Sequence, residues 1–378
     1  MRRGLIAFIL VAAAIAGIVF LSVWAVTRKP PDHQSAEPPT LHTSYTKYQF
    51  DHSGRTVHFG IQPLWMPAGN IAEVMSRDAI LTQELDKLGL TIRFHAFLKG
   101  DDITFFVKKG DLQGGMVGDV PALLAAAALD ILIPAATHQG FDHIVASREL
   151  LVKDLKGRRI GYPYGSVSHR TLLEALASDG VTEDQVSLIP QEVTDLPDAL
   201  AGGFIDAFAA WEPATMAALS RVPTASAIHR SRHLGLVYFT REFATDHSEA
   251  MRWILAAEIR AVKWLTAERD NLARSCKWVA ERSQGRGTEN LVMSPDKCSA
   301  AIAELGQMQF VLVIPERDFR AGGYLEREFE FLKSLGKISS TVAWTDVRRK
   351  LDRSIMTEIL ANPLKYRVDE FRYELGGD

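Results

Sequence analysis

From Arg55 onward, short apolar runs alternate with stretches whose apolar positions recur every three or four residues, the pattern of an α/β domain with a mainly parallel sheet. Residues 56–61 predict a first strand, 71–88 the helix after it and 91–97 a second strand. Residues 112–117 predict a short strand ending at Gly118-Asp119, Pro121 opens an alanine-rich helix, and 130–134 form a buried strand. A second set begins near His143. Its strands fall at 144–146, 159–162, 186–189 and 205–211, and its helices at 169–178 and 196–201, the latter stopped by Gly202-Gly203. Residues 236–239 read as a strand returning to the first set. From Ser248 to about Ile359 the spacing of positions such as Ile254, Ala257, Ala261, Trp264 and Leu265 predicts long helices.

The N-terminus is patterned differently. Leu5 to Val26 runs without a charge and spans roughly 33 Å as a helix, the thickness of a bilayer core, so residues 1–27 are read as an uncleaved membrane anchor, with a cleaved signal sequence as the alternative. Residues 28–54, with Pro30, Pro31, Pro38 and Pro39 among polar positions, read as a tether.

Composition narrows the function. The 378 residues carry 43 basic and 46 acidic side chains, with no basic stripe, which argues against nucleic acid. Two cysteines, Cys276 and Cys298, allow one optional bridge and no four-thiolate zinc site. His229 and His233 lack a third ligand and read as solvated surface histidines. No G-x-S-x-G elbow is present, and both cysteines fall in the helical tail, so no catalytic constellation emerges.

Three strand ends instead carry small or polar residues where a strand hands over to a helix, the edge at which α/β sheets bind ligands. They are Gly118-Asp119-Val120-Pro121, the loop from Tyr164, Gly165 and Ser166 through Ser168 to His169, and Trp211-Glu212-Pro213. The middle one is read as a helix start whose free amides accept an anion, with Trp65, Tyr162, Tyr164 and Trp211 as flat walls. The expectation is a gap between that turn and the facing indoles, filled by a small polar guest.

The runs 112–121, 154–161, 165–169 and 203–213, in that order, resemble the solute-binding proteins of nitrate, sulfonate and taurine ABC transporters, whose relatives bind aminopyrimidine precursors of thiamine. The resemblance implies the type II periplasmic-binding-protein fold: two lobes with a cleft, here preceded by the N-terminal transmembrane helix. Lobe 1 would comprise 55–138 and 237–378 with the helical tail, and lobe 2 residues 139–236, with crossings near 137–143 and 234–239. Carried over by position, it implies ligand contacts from Gln62, Trp65, Asp119, Ser166, Ser168, His169, Trp211 and Glu212.

Glu212-Pro213-Ala214 departs from the family's aspartate and following aromatic, and residues 62–67 are unusual, so the ligand stays open among sulfonates, taurine, nitrate and aminopyrimidines. The implied partners are that solute and an ABC permease and ATPase, with no cofactor. The protein would be a monomer at the periplasmic face of the inner membrane, capturing solute by hinge closure. A clamshell sensor of a signalling system and an enzyme on the same fold, a desulfinase or pyrimidine synthase, are the rival readings.

Overall fold

The computed structural model describes residues 41–284, 294, 297–298 and 309–373. The expected anchor, and the tether up to residue 40, lie outside the described residues. Among those described, no helix is long and apolar enough to cross a membrane. Residues 43–50 are not a loose tether. Tyr45 is buried, its ring 5.0 Å from Phe97, and Tyr48 lies 5.4 Å from Phe97, because three aromatics in six residues find an apolar surface to cover.

The elements run β1 (Thr56–Ile61), α1 (Ala68–Met75), α2 (Ala79–Lys87), β2 (Thr91–Ala96), α3 (Gly100–Lys108), β3 (Gly114–Gly118) and α4 (Asp119–Ala128). There follow β4 (Ile131–Ala146), β5 (Arg159–Tyr162), α5 (Val167–Ser178), β6 (Ser187–Pro190), α6 (Leu196–Ala201), β7 (Ala207–Ala210), α7 (Ala214–Arg221) and β8 (Ser226–Thr240). The tail contributes α8 (Arg241–Asp246), α9 (Ser248–Ala267), α10 (Arg269–Ser283), β9 (Gln309–Phe310), α11 (Glu316–Phe319), α12 (Tyr324–Ser334), α13 (Trp344–Arg348) and α14 (Arg353–Ala361).

One sheet in the order β2-β1-β3-β8-β4-β7-β5-β6, with β9 on β4, runs through the body. β1 pairs in parallel with β2 and β3, and β5 with β6 and β7, giving one parallel set per lobe. The antiparallel pair β4–β8 joins them. The two crossings are therefore the middles of two long strands: Gln139 faces Leu234, and Asp142 faces Ser231.

Several elements differ from the sequence reading. The strands expected at 130–134 and 144–146 are one strand of 16 residues, and 236–239 is the end of a 15-residue strand. Pro134, which has no N–H to give, coincides with a register shift between Leu132 and Ala135, so it irregularises β4 without ending it. The helix expected over 71–88 breaks at Asp78, whose side chain leaves the helix to cap α2 by accepting from Ile80 N at 2.9 Å and Leu81 N at 3.2 Å. The tail is a chain of mostly short helices, and α3 had no counterpart in the sequence reading. Val117, Val120, Val167, Trp211, Leu332 and Val347 share one apolar cluster, so both lobes and the tail pack on common ground.

Candidate functional site

Each strand-end loop is held by its own polar groups. Asp119, fully buried at the start of α4, accepts from Val120 N through Oδ1 at 2.8 Å, and from Leu234 N at 2.7 Å and Tyr324 Oη at 2.6 Å through Oδ2. Gly165 has φ +73°, the left-handed region that glycine enters freely, and this lets the chain turn from β5 into α5. Ser166 caps α5 by accepting from His169 N at 3.2 Å while donating to Pro163 O at 2.6 Å. Ser168 Oγ donates to Asp142 Oδ1. Both hydroxyls expected to meet a ligand are thus engaged within the protein. The His169 ring packs on Tyr162 and Tyr164, at 4.4 and 5.3 Å. Burial, with the charge of Lys337 nearby, holds it down to about 3, so the ring is neutral at physiological pH.

After β1, Gln62 Nε2 donates to Met116 O at 3.2 Å, and Trp65 packs edge-on against His138 and tilted against His233 with centroids 4.7 and 5.5 Å away. Met66 N donates to Glu212 O at 3.3 Å, so the loop after β1 is bonded to the loop after β7 across the lobes. Glu212 Oε2 accepts from Met216 N at 3.0 Å, and burial raises its carboxyl above the usual range. Gln62, Trp65, Trp211 and Glu212 are all buried.

Trp65 rests on a polar chain that sequence reasoning missed. Thr137 Oγ1 lies 2.8 Å from His138 Nδ1, His138 Nε2 lies 3.2 Å from His233 Nε2, and His233 Nδ1 lies 2.7 Å from Asp142 Oδ2. His233 is therefore a buried strand residue rather than a surface histidine, its ring held between His138 and Asp142 of β4. Among the described residues, no group of three or more His, Cys, Asp or Glu side chains is arranged to hold a metal ion.

Space for a ligand lies beside this packing rather than between the indoles. A cavity of about 210 Å³ is walled by Asp101, Val120 and Leu124 from lobe 1, and by Tyr164, Gly165, Ser166, His169, Arg170 and Leu173 from lobe 2. Leu332, Leu335 and Lys337 of the tail complete it. Of the eight contacts carried over, Ser166 and His169 line this cavity, as do Tyr164 and Gly165 of the same loop; Gln62, Trp65, Asp119, Ser168, Trp211 and Glu212 do not. Lys337 Nζ stands 5.0 Å over the Tyr164 ring. Arg170 also lines the cavity, but its guanidinium is occupied by Glu174, Ser231 and the Arg232 carbonyl. A second cavity, about 270 Å³, sits at the amino-terminal ends of β1 and β3 beside Asp51, His52, Glu242 and His247, away from the strand-end loops.

Residues 136–271 match the family model described as NMT1/THI5 like. The chain is 29% identical over 133 residues to a taurine-binding periplasmic protein of Escherichia coli strain K12, a match covering 34% of this chain and 42% of that protein. It thus spans about two fifths of the length of this curated relative. The fold is similar to that of the alkanesulfonate-binding protein SsuA from Xanthomonas axonopodis pv. citri bound to MOPS, with TM-score 0.61 and 21% identity over 79% of this chain and 98% of that one. It is also similar to the periplasmic nitrate-binding protein NrtA from Synechocystis PCC 6803, with TM-score 0.58 and 11% identity over 85% and 92%. The resemblance carried by the four motifs is borne out, and the two-lobe α/β fold with it.

Proposed function

We propose that this protein is an extracytoplasmic solute-binding protein that captures a small polar organic or anionic solute between its lobes and delivers it to an ABC importer. The observation that carries this reading is the cavity of about 210 Å³ whose walls come from both lobes, with the start of α5 at one side and Lys337 at the rim. A guest touching both walls is bound better when the lobes are closed, so it shifts the hinge toward closure by that difference in affinity. The head of the guest would meet the α5 amides and Lys337, and its body the leucines opposite. Tyr164, Gly165, Ser166 and His169 face it, whereas Gln62, Trp65, Asp119, Ser168, Trp211 and Glu212 hold the walls. Sulfonates, taurine, nitrate and aminopyrimidines are the classes to test, because the matched relative is a taurine-binding protein and the fold neighbours bind alkanesulfonate or nitrate.

Residues 5–26 would anchor the protein at the periplasmic face of the inner membrane and raise its effective concentration at the permease. The lobes would be 55–138 with 237–378, and 139–236, and the unit a monomer. A thermal-shift panel of these solutes tests the reading. A ligand at a hundred times its dissociation constant stabilises the fold by about 2.7 kcal/mol, enough to move the melt visibly. If no member of the panel moves it at millimolar concentration, the reading fails.

A further inference from the structure

Side chains of the tail reach across to lobe 2 from a helix that packs with lobe 1. α12 shares an apolar cluster with α4 through Leu325, Phe329 and Leu332, and the Phe329 ring lies 5.7 Å from Trp344 of α13. From that base Tyr324 and Glu328, one helical turn apart, turn toward α5. Glu328 Oε2 pairs with Arg170 Nε at 2.8 Å, and Arg170 Nη2 donates to Tyr324 Oη at 3.1 Å. Tyr324 Oη in turn donates to Asp119 Oδ2 at 2.6 Å, linking tail, lobe 1 and lobe 2 through one hydroxyl. Just before α12, Asp318 pairs with Arg232 of β8, whose guanidinium covers the Tyr324 ring at 4.6 Å. The side chains of Arg170 and Glu328 are 1% and 7% exposed.

Rotation about β4 and β8 would carry α5 away from α12 and break the contacts of Arg170 with Glu328 and Tyr324, while the Tyr324–Asp119 bond stays within lobe 1. Desolvation offsets much of what a buried charged pair gains, but an ionised partner left alone in a buried place is costly. We propose that α12 is a clasp in which Tyr324 and Glu328 are positioning residues that set how much of the protein is closed. The affinity of the interlobe site then scales with that closed fraction. This last step rests on the solute-binding reading; the clasp itself does not.

The test measures closure without any solute. Nitroxide labels at Lys87→Cys on lobe 1 and Lys153→Cys on lobe 2 report the interlobe distance in the full-length chain by pulsed electron resonance. Glu328→Gln and Tyr324→Phe are expected to shift the distribution to longer distances, raising the open population about tenfold, the equivalent of one charged hydrogen bond. Glu328→Asp, which keeps the carboxyl group, should retain more of the short-distance population than Glu328→Gln. Should Glu328→Gln fold too poorly to label, Tyr324→Phe carries the test, since it deletes a single hydroxyl. A distribution unchanged from the parent in that variant overturns the clasp, whatever the outcome of the solute panel.

Discussion

Gly118 offers a way to hold the lobes apart without touching the solute. Its φ of −70° suits any L residue, so what keeps a side chain out is space. A Cβ placed there would lie 2.5 Å from Val167 Cγ2, at the start of α5 in the other lobe, and at ordinary distances of 3.8 Å from Pro121 and 3.9 Å from Trp65. Carbon contacts settle near about 3.5–4.0 Å, so Gly118→Ala is about 1 Å too close to a single neighbour. Overpacking of this kind costs about 1–3 kcal/mol, and here only in the closed form, because opening moves Val167 away. Affinity for the best solute of the panel should fall roughly 5- to 150-fold by calorimetry. Gly118→Ala combined with Val167→Ala should recover most of it. Unchanged affinity in the single variant, or no recovery in the double, would refute the idea that these two residues meet across a closing interface.

Two further predictions concern the body of the protein. Glu258 on α9 is fully buried, neither carboxylate oxygen has a hydrogen-bond partner among the described residues, and burial pushes its carboxyl well above the ordinary value. Since the folded pKa exceeds the unfolded value near about 4.3, its contribution is fully present below that pH and is lost as pH rises toward the folded value. Glu258→Gln should therefore be more stable to unfolding than the parent at pH 8, by about 1–3 kcal/mol, with a margin that shrinks toward pH 5; a pH-independent margin contradicts this. Cys276 and Cys298 are joined by a disulfide across 22 residues and pack against Met66 of the loop after β1. Cross-linking a loop of that size stabilises by about 3 kcal/mol, so the Cys276→Ser/Cys298→Ser variant and the reduced parent should lose the same several degrees of melting temperature, and an unaltered melt would count against it.

The parallel strands were legible because each is a short apolar run closed by glycine, proline or aspartate, as at Gly118-Asp119 and Trp211-Glu212-Pro213. The crossings came from the family resemblance rather than from the pattern, which did not show that each is the middle of one long strand. β4 passes between lobes through Thr137, His138, Gln139, Asp142 and His143, a polar stretch that reads as a loop, and it stays a strand because β8 supplies His233 to take up His138 and Asp142. Asp78 interrupts a good helical period for a similar reason: its carboxylate is needed by the buried Arg260, 2.7 Å away, as well as by α2. At the site, the Gly165–Ser166 turn was visible as a glycine followed by a cap. Its opposite wall was not, since Leu332, Leu335 and Lys337 arrive more than 150 residues later and no local pattern sets them apart from other tail positions. Trp65 and Trp211 were read as walls of a gap, but indoles bury large apolar areas, and here they fill the interlobe space themselves.

The location of the guest is open to direct measurement through Leu335, which lines the tail side of the cavity and is only partly buried. Leu335→Trp fills that space from the tail while leaving α5 and both crossing strands unaltered. Calorimetric titration of this variant with the solute that most stabilises the parent should give no measurable binding, while its melting temperature without solute stays close to the parent's. Parent-like affinity in Leu335→Trp would place the solute elsewhere and contradict the account.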